Sequence, residues 1–390
     1  MIPPLARKVP KDIGISFQSA ALDVGERAFA YARASGIIGK SFIGKRLFAL
    51  KKVASLKDLE RIVFPPDMHR DLPGRELLVD LEQRISQRSM KHMLSVVGAY
   101  VKPPELLVRL IRSSEYADLK SCLYHIAAGK KELPAVTDIG RFKTIRFDAY
   151  PDLKAMISGT EFDFLLEKDL SSLQLPSFDM APLEAELDLR YYSRLIRGLY
   201  RLSEDDRHLA EIILAEEISL RNCVWALRLR TYFKKKTEET RNYLMDIAMR
   251  HNASTYGLEV IPGDVHPRMA ASVAAKPSKN TSLSVDAKES LEFPLDDRAA
   301  WKSWRWESLL NPQDPGEGWV ANPRYFQNAA SLYIYHLAMH CHMRMPLSVS
   351  TPFCFIKIKQ FEENLLTSLA EGLALGMTGS DVYSMLEVTS

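Results

Sequence analysis

The chain has 390 residues, which is enough for two or three domains with hydrophobic cores. Its 52 Lys and Arg side chains nearly balance its 49 Asp and Glu side chains, and the formal net charge is only +3. This balance excludes a whole-chain attraction to nucleic acid or to lipid headgroups, so any basic surface for a partner must be local.

The sequence also bears on the cellular location. No apolar run approaches the roughly 18 residues that a transmembrane helix needs, so we expect no membrane span. The first residues, MIPPLARKVPKDIG, have no long apolar segment followed by small residues, and so predict no secretory signal. We therefore expect reduced, mostly buried thiols in a cytosolic compartment for the four cysteines, which are Cys122, Cys223, Cys341 and Cys354.

Near the amino terminus, Gly39-Lys40-Ser41 matches the end of a phosphate-binding loop. The complete pattern requires a glycine where this chain has Ala34, and a buried strand before the loop. The preceding residues are rich in Ala, Glu and Arg and predict a helix instead. We therefore interpret this stretch as part of a helix with a solvated lysine and not as a nucleotide site.

Most of the chain predicts amphipathic helices. Apolar side chains recur with the 3.6-residue period in two stripes, at 77–97 and 106–126. After Pro182, residues 187–202 and 203–236 predict two more helices. Acidic residues follow the expected N-cap at Ser203, and Lys234–Lys236 lie where a helix carboxyl end favours cations; this polarity is typical of an antiparallel helical pair.

The helical pattern weakens in two segments. Residues 131–187 mix Pro and Gly with short strand candidates such as FKTIRF, and we interpret them as a connector or a small irregular insertion. Residues 262–296 are rich in Ser, Lys, Ala and Pro, so we expect a surface excursion or linker and a domain boundary there. Two further helices are predicted beyond it, at 323–345 and 353–377.

The helices give a weak indication of a threefold repeat. Asp118, Asn222 and Asn364 each lie just before a helical apolar stretch. Their spacings suit three domain-sized repeats better than a solenoid of short units.

His336 and His340 are the most tempting metal ligands. They are four residues apart and share a helix face, with Cys341 and His342 adjacent. A helical metalloprotease motif requires a Glu directly after the first His, but this chain has Leu337. One helix also cannot turn all four side chains toward one ion. We therefore interpret these residues as packing or surface side chains and predict no metal site.

Two other clusters have a functional and a structural interpretation. The tryptophans at 301, 304 and 306 could stack single-stranded bases, but such clusters more often form a core or a partner contact. The basic end of the helix at 219–236 could dock an acidic partner or simply compensate the helix dipole. No arrangement of nucleophile, base and acid stands out, so we predict no catalytic residue, no cofactor and no bound nucleic acid.

Four stretches, taken in order along the chain, resemble the C-subunit family of the V-type and A-type rotary ATPases (ATP synthases), whose eukaryotic members are named with the letter d. FAYARA at 29–34 resembles the opening helix of that family and is followed by LKDLERIVFP at 56–65. EYADLKSC resembles its Tyr-x-Asn-Leu-Lys element, with Asp118 in place of the asparagine.

The other two stretches lie in the second half. Residues 187–199 and 216–233 resemble two family helices through Asp188, Tyr191, Tyr192, Asn222 and Arg228. The last stretch, from position 352, is the closest match, with the family residues Pro352, Glu362, Asn364, Leu365, Gly372 and Gly376. The chain departs from the family at Gly36, where a second arginine is common, and in its greater length.

The resemblance implies an all-α fold of three similar helical-bundle domains, arranged as a pseudo-threefold funnel. We place these domains at 1–150, 151–262 and 263–390, the last including a linker. It further implies a non-catalytic central-stalk subunit, peripheral on the cytoplasmic side, which links the central axle subunits to the membrane proteolipid ring and transmits torque for proton or sodium transport. Gly36 and Gly39 would then allow a neighbouring helix to approach closely.

Two alternatives from other classes remain open at this point. One is a free-standing helical scaffold that docks an acidic partner through the basic helix at 219–236. The other is a metal-dependent enzyme built on His336 and His340.

Overall fold

The computed structural model describes residues 11–168, 180–247, 249, 282–313 and 318–385. Throughout these residues the regular structure is helical, without a β-strand, which confirms the all-α prediction. The α-helices of this part are α1 (Lys11–Ile38), α2 (Leu47–Lys51), α3 (Leu56–Val63), α4 (Gly74–Val97), α5 (Glu105–Ile111), α6 (Ser113–Ala127), α7 (Leu153–Ile157), α8 (Ala181–Leu199), α9 (Glu204–Thr231), α10 (Thr237–Arg241), α11 (Val285–Ser290), α12 (Pro323–Arg344), α13 (Ser350–Ala374) and α14 (Gly379–Met385).

Side-chain caps fix the starts of several helices. The Ser203 hydroxyl accepts the Asp206 N–H at the start of α9, as predicted, and the Asn322 side chain accepts two N–H groups at the start of α12. Each cap pairs backbone donors that have no partner within the helix. Helix α9 ends at Thr231, so Lys234–Lys236 lie beyond its last turn, whose cations are Arg228 and Arg230.

Helix α13 lies at the centre of the fold. Every residue from Phe353 to Lys359 is buried, so this stretch is enclosed on all sides of the helix. Helices α1, α4, α9 and α12 all pack against α13. A helix enclosed in this way must be apolar or must pair its charges, and α13 does both.

The first and last parts of the chain share one hydrophobic cluster. Buried residues between 42 and 85 pack with buried residues between 365 and 383. The Gly379 N–H also donates to the Val53 carbonyl over 2.8 Å, which ties α14 to the segment after α2. The domain boundaries and the pseudo-threefold funnel stay predictions.

The short strand candidates within 131–187 do not form strands in the described residues, which exclude 169–179. FKTIRF overlaps two short 3₁₀ turns, Gly140–Phe142 and Phe147–Ala149. The backbone N–H groups of Thr144 and Ile145 donate to the Glu115 carboxylate of α6. A buried side chain therefore satisfies the backbone donors that a partner strand would otherwise have paired.

The surface linker expected at 262–296 is not found in the described part of this segment, 282–296. Residues 262–281 lie outside the described residues. Ala287 and Ser290 of α11 are fully buried, and α11 packs on α9. The adjacent tryptophans at 301, 304 and 306 are buried as well, and each indole N–H donates to an oxygen of the segment 286–294. The core interpretation of this cluster is therefore confirmed.

Helices α8 and α5 approach each other closely at Gly198, a glycine that the sequence analysis did not select. Neither Gly36 nor Gly39 meets a neighbouring helix, so that expectation is wrong. Gly198, in α8, faces the start of α5, and a Cβ at this position would lie 3.1 Å from the Leu106 backbone nitrogen. The missing side chain of Gly198 lets the two backbones touch.

We predict that Gly198→Ala destabilises the protein although alanine favours helix. The clash is with backbone, which cannot rotate away, so we expect a loss of about 1–3 kcal/mol in the free energy of unfolding. The matched control is Gly36→Ala, in α1, where no atom lies within 4 Å and a gain of about 0.5–1 kcal/mol is expected. Urea unfolding measures both, and equal gains in the two variants would contradict the prediction.

Candidate functional site

Charged and polar side chains from four helices meet inside the molecule, in what we call the central ionic cluster. Its members come from α6, from the consecutive helices α8 and α9, and from α13. They are Lys120, Asp188, Tyr192, Glu217, Arg221 and Lys357.

The cluster pairs each of its charges. Asp188 binds Lys120 Nζ at 2.7 Å and Arg221 Nη2 at 2.8 Å. Glu217 accepts the Tyr192 hydroxyl at 3.0 Å and binds Lys357 Nζ at 2.6 Å. These contacts join α6 to α8, α8 to α9, and α9 to α13.

The electrostatics of the cluster keep Asp188 and Arg221 ionised. Burial alone would raise the pKa of Asp188, but the charges of Arg221 and Lys120 outweigh it and hold the pKa below the usual range. Burial would lower the pKa of Arg221, but the neighbouring Tyr192 and Asp188 raise it. A carboxylate and a guanidinium that stay charged at neutral pH suit structural pairing and not proton transfer.

Arg221 lies at the surface, where 42% of its side chain is exposed. The cluster therefore reaches the surface at Arg221 while Asp188 and Lys357 stay buried.

A second set of buried polar side chains holds backbone segments against helices. Asp118 of α6 accepts the Thr137 N–H at 2.8 Å. Asn222 of α9 accepts the Met245 N–H at 2.8 Å and donates to the Met245 and Leu283 carbonyls. We call these residues, with Glu362 described next, the polar clamps, because each fixes a loop that would otherwise carry unpaired backbone groups.

The third clamp is Glu362 of α13, which accepts the Phe42 N–H at 2.7 Å. The sequence pattern groups Asn364 with Asp118 and Asn222, but Asn364 is exposed. Glu362 is buried and also pairs with Lys359, whose ammonium group donates to the Ser41 hydroxyl at 3.3 Å. The Ser41 of the Gly-Lys-Ser stretch is therefore a buried partner of α13.

Helix α1 is anchored by a separate junction. Arg27 Nη1 binds Asp206 Oδ1 at 2.6 Å, and the same carboxylate oxygen accepts the Val349 N–H at 3.0 Å. The Ser350 hydroxyl donates to the Asp206 carbonyl at 2.6 Å. Asp206 thus joins α1, α9 and α13 at one point.

The histidines considered as metal ligands lie in different surroundings. His336 and His340 are half-buried on α12, whereas His342 is buried, lies 3.2 Å from the Ser35 hydroxyl and packs on Tyr31. Within the described ranges, no three His, Cys, Asp or Glu side chains are grouped so that they could hold a metal ion.

Two cations of the basic helix bind partners within the protein. Arg221 belongs to the central ionic cluster, and Arg230 donates to the Ser290 and Phe293 carbonyls at 2.8 and 2.7 Å. Arg228, Lys234 and Lys236 are exposed. The basic end of α9 is therefore smaller than its sequence indicates.

Sequence reasoning missed Lys357, Lys359 and Glu217. A signal for the two lysines was present, because FCFIKIKQF places them within an apolar helical run. A buried lysine requires a carboxylate partner, so such a run predicts buried ion pairs. The identity of the partner depends on tertiary contacts that one sequence does not reveal.

Comparison with known proteins gives two findings. Residues 70–256 match the family described as "ATP synthase (C/AC39) subunit". Over this segment the chain is similar to the ATP synthase (C/AC39) subunit family. The match confirms the resemblance drawn from the sequence. It covers α4 to α10 and includes the central cluster residues Lys120, Asp188, Tyr192, Glu217 and Arg221.

The chain is also similar to an uncharacterized protein of Treponema pallidum (strain Nichols). The two are 24% identical over 350 residues, which is 89% of this chain and 92% of the relative. The similarity to this relative therefore extends beyond the segment that matches the family, toward both ends of the chain.

We predict that Asp118→Asn stabilises the protein at neutral pH. Burial raises the pKa of Asp118 from 3.8 to about 6, so the folded state binds its proton more tightly than the unfolded state. The stability from this group is complete below pH 3.8 and is lost as the pH rises to about 6. An amide keeps the acceptor for the Thr137 N–H without the charge.

We expect a gain of about 1–3 kcal/mol in the free energy of unfolding above the folded pKa of Asp118, vanishing at acid pH. Urea unfolding across the pH range measures it, with the exposed Asp148→Asn as the matched control. A gain that does not depend on pH would contradict the electrostatic cause.

We predict that Lys359→Met destabilises the protein by about 3–5 kcal/mol, because it leaves the buried Glu362 carboxylate without its cation. Lys359→Met combined with Glu362→Gln should recover most of this loss, since the amide oxygen still accepts the Phe42 N–H. The exposed Lys302→Met is the control, with a change within about 0.5 kcal/mol. Thermal unfolding of the set tests the pair, and additive effects would exclude a direct coupling.

Proposed function

We propose that the protein is a non-catalytic central-stalk subunit of a V/A-type rotary ATPase. It links the rotor axle to the membrane proteolipid ring and transmits torque for proton or sodium transport. The observation that carries the proposal is the family match over residues 70–256, joined by the ordered resemblance of stretches on both sides of that segment.

The internal contacts suit a part that transmits force. A torque-bearing adaptor must resist sliding of one helix past another. The central ionic cluster, the polar clamps and the Asp206 junction each connect helices through short, directed bonds, which resist sliding more than apolar contacts alone. The ion pairs at Asp188 and Glu217 link four helices in one chain of contacts.

The partners proposed are the central axle subunits on one side and the proteolipid ring on the other. The location proposed is peripheral, on the cytoplasmic face of the membrane. Among the described helices, none is long and apolar enough to cross a bilayer. The scaffold alternative, with docking through the helix at 219–236, has less support because Arg221 and Arg230 are held by internal partners.

We expect a tagged full-length chain to co-purify with the axle and proteolipid subunits from detergent-solubilised membranes. Membrane vesicles that lack the chain should not couple ATP hydrolysis to ion uptake, because the axle is then disconnected from the ring. Supplying the chain should restore uptake. As a control, a tag on an axle subunit should recover an assembled complex from the same membranes. If the tagged chain is then recovered alone, the proposal is contradicted.

A further inference from the structure

Residues 40–52 form a strongly basic segment, which we call the 40–52 patch. The segment KSFIGKRLFALKK contains no acidic residue. Its cations are Lys40, Lys45, Arg46, Lys51 and Lys52. Five positive charges in one segment exceed the formal net charge of +3 of the whole chain, so this surface is a local concentration of charge.

The fold turns the charges of this patch outward. Phe42, Ile43, Leu47 and Leu50 are buried in the hydrophobic clusters of the protein. Lys40, Lys45, Arg46 and Lys52 are exposed, and Lys51 is half-buried. The apolar side chains of the segment hold it on the protein while the cations remain available.

The cations of the patch have no carboxylate partner among the residues that the structure describes. Arg46 donates to the Lys40 carbonyl, and Lys51 lies over the Phe48 and Tyr383 rings at 5.1 and 3.9 Å. The packed helix α14 carries Asp381, but the Thr378 N–H and hydroxyl already bind that carboxylate.

Arg88 adds a further positive charge behind the patch. Its guanidinium lies 5.3 Å from the centre of the Phe42 ring, and the Arg46 guanidinium lies 5.0 Å from the centre of the same ring. The Glu362 carboxylate, which also faces Arg88, is already paired with Lys359. Arg88 therefore adds to the positive charge of the 40–52 patch.

A large aromatic side chain lies within this charged surface. Phe48 is 50% exposed, on the same short helix as Lys51 and Leu47. An exposed aromatic ring among lysines is the composition of protein segments that rest on anionic membranes, where the ring enters the headgroup region and each cation adds electrostatic attraction.

The composition favours lipid over a protein or nucleic-acid partner. Four of the five cations are lysines, which bind as point charges and suit mobile phosphate headgroups better than fixed planar carboxylates. Phe48 is the one large apolar side chain of residues 40–52 that is exposed, so the patch has no row of anchors for an acidic helix.

We propose that the 40–52 patch binds anionic phospholipid headgroups at the membrane surface. This contact goes beyond the proposed rotor role, because it gives the chain a direct link to lipid in addition to any link to protein subunits. The Gly-Lys-Ser stretch then belongs to a lipid-facing surface, with Lys40 as one of its cations.

The experiment is sedimentation of the purified full-length chain with vesicles. Vesicles of phosphatidylcholine alone should bind little protein, and vesicles that also contain phosphatidylglycerol should bind it. Binding should fall by about tenfold or more when the salt rises from about 0.05 to 0.5 M, because salt screens the attraction.

Two variants and a matched control locate the contact. Lys45→Glu with Lys52→Glu should weaken binding to the anionic vesicles by about tenfold or more. Phe48→Ser should weaken binding to the same vesicles while leaving its salt dependence unchanged. Lys234→Glu with Lys236→Glu makes the same charge change at another exposed basic turn, and binding should stay within about twofold of the parent chain.

Three results would overturn the proposal. They are failure to bind the anionic vesicles, an equal loss in the two charge-reversal variants, and binding to single-stranded nucleic acid that Lys45→Glu with Lys52→Glu weakens while vesicle binding is unchanged. The vesicles contain no ATPase subunit, so these results leave the co-purification test untouched. Thermal unfolding of each variant confirms that it is folded.

Discussion

The pairing of buried charge on α13 is the constraint on which the rest of the structure depends. Lys357 and Lys359 lie in a stretch of helix that is enclosed on all sides. A buried ammonium group without a partner costs several kcal/mol, so each lysine requires a carboxylate at a defined place. Glu217 of α9 pairs with Lys357 and so fixes α13 against α9. Glu362, on the next turn of α13, pairs with Lys359 and accepts the Phe42 N–H, which fixes the segment after α1 against α13.

Buried polar side chains also pair with backbone groups of neighbouring segments. Glu362 holds the segment after α1, Asn222 holds the segments around Met245 and Leu283, and Asp118 holds the segment at Thr137. Long helices supply these side chains, and irregular segments supply the N–H and carbonyl groups. Helices therefore hold these particular segments in place through side-chain hydrogen bonds.

Much of the fold could be predicted because it depends on local pattern. The helices α4, α8, α9, α12 and α13 follow from the 3.6-residue period, and the Ser203 cap follows from a hydroxyl before three acids. The segments 140–149 and 282–296 could not be predicted, since distant side chains and α9 determine their structure.

The partners of Lys357 and the contact at Gly198 depend on tertiary geometry in the same way. The family resemblance was accessible because it rests on the order of several motifs. The residues of the central ionic cluster were partly visible in those motifs, but their pairing was not.

The cluster shared by residues 42–85 and 365–383 bears on the synthesis of the chain. Ribosomes release the amino-terminal residues first, so the apolar faces of α2, α3 and α4 must wait for nearly the whole remaining chain before they are covered. A chain that lacks residues 365–383 leaves these faces exposed to solvent, and exposed apolar surface makes a folding chain prone to aggregation.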